Sequence, residues 1–422
     1  MNQLNLTEKD QALLRGEMGS AGKMSMRILV AMAKAYGATE FLDIESAHID
    51  GCLYHGDSGL EFAERLVQGN GQVVVPTTLN VGSVDLLHPE AFQGTAVQAE
   101  RGARTMKLYE EMGCKPIYTC TPYQAMHRPN FGSQIMWAES NAIVFANSVL
   151  GARTNRYGDF IDICGAITGR APAFGLHLTE NRRATRVYSV EDLPKQLFKK
   201  DVFYPVLGYF LGLNNRQTIP AVIGLPDHIT EDQLKILGAA SASSGALALF
   251  HIVGKTPEAL TLNDACQGEL PAEIIKISMD DIRESLAHLS TVPDGPINVV
   301  AFGSPHFSLD EFAQLMPLLE TYPIHPNVQF MVCTNRLALT GLKQRGWLDL
   351  LREMNVQIVV DTCVVVAPLV KTNRGTLMTN SGKFAHYTPG NTGLNVIFGS
   401  MEECVRSAAL GTVWRDDSLW LD

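Results

Sequence analysis

The sequence predicts an α/β protein built from parallel-sheet lobes. Short apolar runs, nearly continuous and bounded by turn residues, read as strands buried on both faces. Helical segments with capping residues lie between them, and such alternation is the signature of parallel βαβ units. The chain has 422 residues, 46% hydrophobic and 18% charged, enough for cores in two or three domains and too apolar for a disordered chain.

The first helix is signalled by Thr7 as N-cap, with Asp10 three residues on and an apolar face starting at Leu13 and Leu14. It should stop near Gly16 or Gly19. A second helix is expected over 24–36, ended by Gly37. FLDIE (41–45) and QVVVP (72–76) read as strands flanking a helix over 61–67. Further apolar runs come at 116–118, 134–137, 220–223 and 246–253. Residues 254–296 have few long apolar runs and end in the turn sequence Pro293-Asp294-Gly295-Pro296. They are expected to connect one or more lobes over 1–253 to a lobe over 297–422. In that last lobe, strands are expected at 297–303, 328–333, 356–362 and 395–399. Helices should cover 309–320, 337–354 (broken at Gly341 or Gly346) and 401–410. Ser308 is better placed than Ser304 to cap the helix from Leu309, because Pro305 intervenes.

Charge and composition exclude several functions. Lys+Arg 34 against Asp+Glu 44 gives −10, a poor match to nucleic acid or an anionic membrane. The longest apolar stretch, 202–213, contains Pro205 and is too short to span a bilayer. The N-terminus lacks an apolar export segment, so a cytoplasmic protein is expected. Eight cysteines without a CxxC pair disfavour a disulfide scaffold or zinc ribbon. Neither GxGxxG nor GxxxxGK[ST] occurs.

Ligands of parallel α/β sheets bind at the carboxyl ends of the strands. Cys120-Thr121-Pro122-Tyr123, Gly303-Ser304-Pro305-His306, Cys333-Thr334-Asn335-Arg336 and Asp361-Thr362-Cys363 each come after an expected strand. Cys120, Cys333 and Cys363 could hold an iron–sulfur cluster with an open iron, or be three buried thiols. His48 and Asp57 lie in a loop-like stretch dense in His and Asp, suited to substrate contact or proton transfer. Thr77 and Asn80 come after the 72–76 run. Ser140 or Asn141 would cap a helix over 141–150, whose N-terminus suits a carboxylate or phosphate. Arg153 and Arg156 suit an anion. Lys383 and His386 lie in a further polar segment, where a lysine is as readily a surface residue.

These segments together resemble one family. AHIDG (47–51), GDSGLEF (56–62), TTLN (77–80), CTPY (120–123), WAESNAIVFANSVLGARTNR (137–156), GSPHFS (303–308), DTCVVV (361–366) and NSGKFAHY (380–387) resemble the catalytic subunit of aconitase X. The resemblance spans nearly the whole chain and implies an aconitase-like large α/β region lacking the small swivel β-domain. That domain would be a separate small subunit, bringing a catalytic serine. The activity implied is a hydro-lyase with an iron–sulfur cluster, either 2Fe–2S or an incomplete 4Fe–4S type. Its substrate would be cis-3-hydroxy-L-proline or, as in archaeal members, mevalonate 5-phosphate. Cys120 and Cys363 match cluster positions; Ser304 stands where archaeal members have cysteine, which favours the hydroxyproline group. Cys333 is a weaker substitute. His48, Asp57, Lys383 and His386 are the candidates for catalysis, and Thr77, Asn80, Ser140, Asn141, Arg153, Arg156 and His306 for substrate binding, with Arg153, Arg156 and Lys383 suited to neutralise a substrate carboxylate. The rival from another class is a metal-free, non-catalytic binding subunit.

Overall fold

The structure is a computed structural model and describes residues 4–269 and 271–420. The chain divides into two compact units, one of residues up to Val84 plus Thr95–Arg183, the other of Asp85–Gly94 plus the chain from Ala184 onward.

In the first unit the N-terminal helix runs Glu8–Arg15. Thr7 and Asp10 form its capping box, and Gly16 ends it with φ 87°. The next helix, Gly19–Ala35, starts earlier than expected. The unit's strands are β1 (Phe41–Asp43), β2 (Ser46–Ile49), β3 (Thr77–Leu79), β4 (Ile135–Trp137) and β5 (Arg170–Pro172). β2, β3 and β4 form a parallel sheet in the order β3-β2-β4, with His48 opposite both Thr78 and Trp137. β1 pairs antiparallel with β5 in a separate ribbon. Asp10 also closes a buried ion pair with Arg170, Nε to Oδ1 2.8 Å, so one carboxylate serves both a helix cap and the core.

Two expected strands are absent here. Over 72–76 the backbone bonds to Met112 and Ala166 carbonyls instead of a ladder, and Pro76 has no N–H to donate. The strand begins at the next residue. Near 116–118 only one bridge forms, between Thr78 and Lys115. The helix expected over 61–67 runs Asp57–Gln68, so Asp57 starts a helix.

In the second unit β6 (Arg186–Ser189), β7 (Pro220–Ile223), β8 (His251–Ile252) and β9 (Ile274–Lys276) form a parallel sheet, order β8-β7-β6-β9. The helices Phe203–Asn214 and Glu231–Gly245 pack closely; a Cβ on Gly245 would lie 1.7 Å from the Gly212 carbonyl oxygen, so neither helix tolerates bulk there. The stretch 254–296, expected as a connector, carries helix Leu262–Ala265, β9 and helix Met279–Ala287. Because β9 completes the sheet beside β6, this segment belongs to the body of the unit. The division falls instead at Arg183/Ala184, where no Pro or Gly marks it.

The strands β10 (Val299–Phe307), β11 (Gln329–Thr334), β12 (Val356–Val359), β13 (Thr376–Thr379) and β14 (Asn395–Phe398) form a second parallel sheet, order β12-β11-β10-β13-β14. β13 and the helix Gly382–Thr392 were not expected. The expected 337–354 helix is two, Arg336–Gln344 and Trp347–Glu353, broken at Gly346 with φ 70°. The core of this sheet buries Val300, Phe302, Phe312, Val332 and Leu342, among others. Ser304 and His306 lie within β10, not beyond it, because the strand continues past a register shift between Phe302 and Phe307. Gly303 makes that shift possible, with φ 91° and a Cβ position 1.9 Å from the Cys333 carbonyl oxygen.

The helix Leu309–Thr321 is capped as expected by Ser308, whose hydroxyl accepts from Glu311 N at 3.1 Å and donates to Asp232 at 2.7 Å. Ser308→Ala should therefore lower unfolding free energy by roughly 0.5–2 kcal/mol in urea denaturation, with the helical content unchanged.

Candidate functional site

In the first unit the carboxyl ends of three parallel strands carry polar groups. Asn80 lies just past β3; its N–H bonds the Ile49 carbonyl at 2.9 Å and its amide bonds the Asp50 carboxylate. His48 in β2 is fully buried, with Nδ1 2.8 Å from Thr78 Oγ1. Its Nε2 makes no hydrogen bond of ordinary geometry, though the Thr119 carbonyl is near enough to favour the protonated ring. Burial dominates and lowers the His48 pKa to about 3, against the pull of Glu139. At neutral pH His48 is thus a neutral hydrogen-bonding ring and a weak base.

Beyond β4 the chain turns at Glu139 into a short helix, Ser140–Phe145, continued by a π-helical turn, Ala146–Leu150. The expected cap at Ser140 or Asn141 is not formed. Glu139 caps instead, accepting from Ala142 N at 2.6 Å, so a carboxylate of the chain already occupies that helix end. Ser140 donates to Glu139 at 3.2 Å. Asn141 is fully buried and bonds the Cys120 carbonyl at 2.9 Å and Tyr123 OH at 2.8 Å. Its side chain thereby fixes the backbone that carries Cys120.

The other expected residues of this unit are placed apart from that group. Thr77 Oγ1 bonds the Val75 carbonyl at 2.8 Å and secures the strand entry. Asp57 is exposed and held by Arg101 and by Tyr54 OH. Arg153 bonds Thr179 Oγ1 at 2.8 Å in the 175–182 segment; Arg156 is exposed. The buried Arg182 straps the π-helical turn through the Asn147 side chain and carbonyl.

In the second unit a second polar group gathers at the ends of β10, β12 and β13. Ser381 caps the helix Gly382–Thr392, accepting from Phe384 N at 3.0 Å, and donates its hydroxyl to the Ser304 carbonyl. Lys383 sits on the first turn of that helix and is buried. The buried His306 places Nε2 3.2 Å from the Thr362 carbonyl, beside Cys363. The His306 carbonyl accepts from the buried Lys235 at 3.3 Å, and Lys235 is paired with Glu311 and Asp232. Thr362 Oγ1 is buried without a hydrogen bond. Asp361 stands at φ 62° and pairs with Arg336 through both oxygens, at 2.6 and 2.7 Å. Thus Ser304, His306, Cys363 and Lys383 are linked through Ser381 and Thr362. His386 is exposed and packs its ring near Tyr209 and Tyr387.

All eight cysteines are buried, and no disulfide links them. Burial pushes the thiols of Cys52, Cys114, Cys164 and Cys404 up, Cys164 to about 12, which marks them as inert core residues. Cys333 lies inside β11, paired with Val359, rather than past its end. Among the described residues no three His, Cys, Asp or Glu side chains gather as an ion site. Cys120 in the first unit and Cys363 in the second offer soft thiols in turns, and Ser304 offers a hydroxyl within β10; all three are buried. That chemistry fits an iron–sulfur cluster held by fewer than four thiolates.

Reading the sequence alone missed Thr78, Glu139, Ser381 and Lys235. Thr78, Glu139 and Ser381 lay within the 77–80, 137–156 and 380–387 segments; Lys235 carries no signal before the chain is folded.

Residues 3–180, 184–287 and 297–410 match the first, second and third domains of aconitase X. The chain belongs to the aconitase X family. It is 44% identical over 408 residues to the cis-3-hydroxy-L-proline dehydratase of Pseudomonas aeruginosa, covering 95% of this chain and 69% of that protein. It is 41% identical to the enzyme of that name from Hypocrea jecorina, covering 97% and 69%. Against the phosphomevalonate dehydratase large subunit of Methanothermobacter thermautotrophicus it is 36% identical, covering 95% and 98%. The crystal structure of Thermococcus kodakaraensis aconitase X in its holo-form superposes with a TM-score of 0.85 at 33% identity, covering 96% of this chain and 100% of that one. The named sequence relatives are dehydratases, that is, hydro-lyases, as the aconitase X resemblance implied. The second and third aconitase X domains are the β6–β9 and β10–β14 sheets.

His177 shares the His48 environment: burial lowers its pKa to about 3. Both should stay neutral in the folded protein between pH 6.5 and 3, whereas the unfolded chain protonates them. Their contribution to stability is complete above pH 6.5 and is lost as pH falls towards 3. Ring-labelled NMR should show two histidine signals unshifted from pH 8 to pH 5, each removed by His48→Gln or His177→Gln.

Proposed function

We propose that this chain is the catalytic large subunit of a cis-3-hydroxy-L-proline dehydratase that forms Δ1-pyrroline-2-carboxylate and works with a separate small subunit. The observation that carries the reading is the identity of 44% and 41% to two cis-3-hydroxy-L-proline dehydratases, against 36% and below for the phosphomevalonate dehydratase large subunits. The second reading, phosphomevalonate dehydratase large subunit, is supported by the 98% coverage of one such chain.

In the proposed reaction the Cα proton leaves to a base and its electron pair forms the Cα–C3 double bond. The C3–O bond breaks and the hydroxyl takes up a proton and departs as water. The enamine then tautomerises to the cyclic imine. We propose Cys120, Cys363 and Ser304 as ligands of the iron–sulfur cluster, which when bound supplies a Lewis acid for the departing hydroxyl. Lys383, buried beside the Ser381–Ser304 contact, neutralises the substrate carboxylate and so stabilises charge developing at Cα. Ser381 and Asn141 hold the Ser304 and Cys120 backbones in place. Buried His306 keeps the Thr362-Cys363 turn in register. The base is proposed to come from the small subunit, since His48 is neutral and weakly basic.

Anaerobic co-expression with the small subunit and assay of both substrates tests the reading. Turnover of cis-3-hydroxy-L-proline is expected; turnover of mevalonate 5-phosphate alone overturns it. Cys363→Ala should abolish the visible absorbance and turnover together. Ser304→Cys should alter the visible spectrum, because a thiolate replaces a hydroxyl donor; an unaltered spectrum removes Ser304 from the ligand set.

A further inference from the structure

We propose that His127, seven residues beyond Cys120, is a substrate-binding residue that receives the leaving hydroxyl together with the indole N–H of Trp137 and the ring of His48. The proposal rests on the dehydratase reading and names the substrate group that this part of the first unit takes.

Three buried nitrogen atoms in this region make no hydrogen bond of ordinary geometry: Trp137 Nε1, His48 Nε2 and His127 Nε2. Trp137 and His48 are fully buried, and His127 is half-buried. The indole is near both imidazoles, with ring centroids 5.6 Å from His48 and 5.8 Å from His127. The fully buried Asn141, whose amide holds the Cys120 carbonyl, also leaves its Oδ1 without a donor. Each such atom carries a desolvation cost, so native proteins rarely leave several together without a ligand or water to meet them.

The chemistry of these atoms selects the ligand group. Indole N–H only donates, so the ligand must present an acceptor. Each imidazole Nε2 takes either role according to its tautomer. A hydroxyl can accept from the indole and donate to an imidazole Nε2 on a single atom. A carboxylate or phosphate is disfavoured, because the carboxylate of Glu139 acts on His48 and the one cation acting on His127 is the exposed Lys115. His48 is also fixed at Nδ1 by Thr78, which leaves only Nε2 for a ligand.

The test uses the cluster-loaded complex with its small subunit and compares His127→Ala and His127→Gln with the parent. KM for cis-3-hydroxy-L-proline is set against the inhibition constant of L-proline, which lacks the hydroxyl. In His127→Ala the ratio of KM to that constant should rise by about fivefold or more, the loss of a neutral hydrogen bond, and His127→Gln should restore most of it. The L-proline constant and the visible spectrum should stay as in the parent. A smaller change in the ratio, or parallel shifts for both ligands, overturns the proposal. If only mevalonate 5-phosphate is turned over, the proposed function fails and the His127 effect is read on the KM for that hydroxylated substrate. If neither is turned over, the ratio is read from calorimetric dissociation constants of cis-3-hydroxy-L-proline and L-proline.

Discussion

Parallel pairing sends every strand of a sheet out at the same edge, and the functional groups of this protein depend on that geometry. In the first unit β2, β3 and β4 run parallel, so Asp50, Asn80 and Glu139 emerge on one side although almost ninety residues separate the first from the last. In the second unit β10, β12 and β13 do the same for His306, Cys363 and Lys383. An antiparallel arrangement of the same strands would scatter these residues over two edges.

The turns beyond the strand ends are held by hydrogen bonds to their backbone from side chains that do no chemistry themselves. Asn141 holds the Cys120 carbonyl, Ser381 the Ser304 carbonyl, and Lys235 the His306 carbonyl. Lys235 keeps its charge in the core because Glu311 and Asp232 outweigh the burial that opposes it. Asp361, buried at φ 62°, turns the chain into Thr362-Cys363 and is itself fixed by Arg336. Loops carry the reactive groups, while rigid elements and buried polar pairs restrict where those loops go.

Burial also sorts residues of one type into different roles. Four cysteines are core groups whose thiols are held protonated, whereas Cys120 lies in the loop before helix Pro122–Ala125 and Cys363 in the turn beyond β12. His48 is buried to the point of neutrality, so it serves as a hydrogen-bonding surface rather than a base. Glu139 itself takes the end of the helix it caps, where the sequence suggested room for a carboxylate or phosphate.

Much of the fold was legible in the sequence because its signals are local. Apolar runs marked β4, β7, β10, β11, β12 and β14, and the capping boxes at Thr7 and Ser308 marked helix starts. The motif around Cys363 was legible as well, since polar residues directly after an apolar run are readable in order along the chain, whereas Ser304 lies inside β10 and no strand precedes Cys120 at 116–118. The failures were non-local. QVVVP looked like a strand, yet β3 starts only after Pro76, where a partner with free ladder positions is available. The 254–296 segment looked like a connector because β9 is only three residues long, and only pairing with β6 makes it a strand. Likewise His48, Trp137 and His127 are three unremarkable residues along the chain. Burial and sheet register alone bring their unpartnered nitrogens together, because the energy of an unmet hydrogen-bonding group depends on what surrounds it in space.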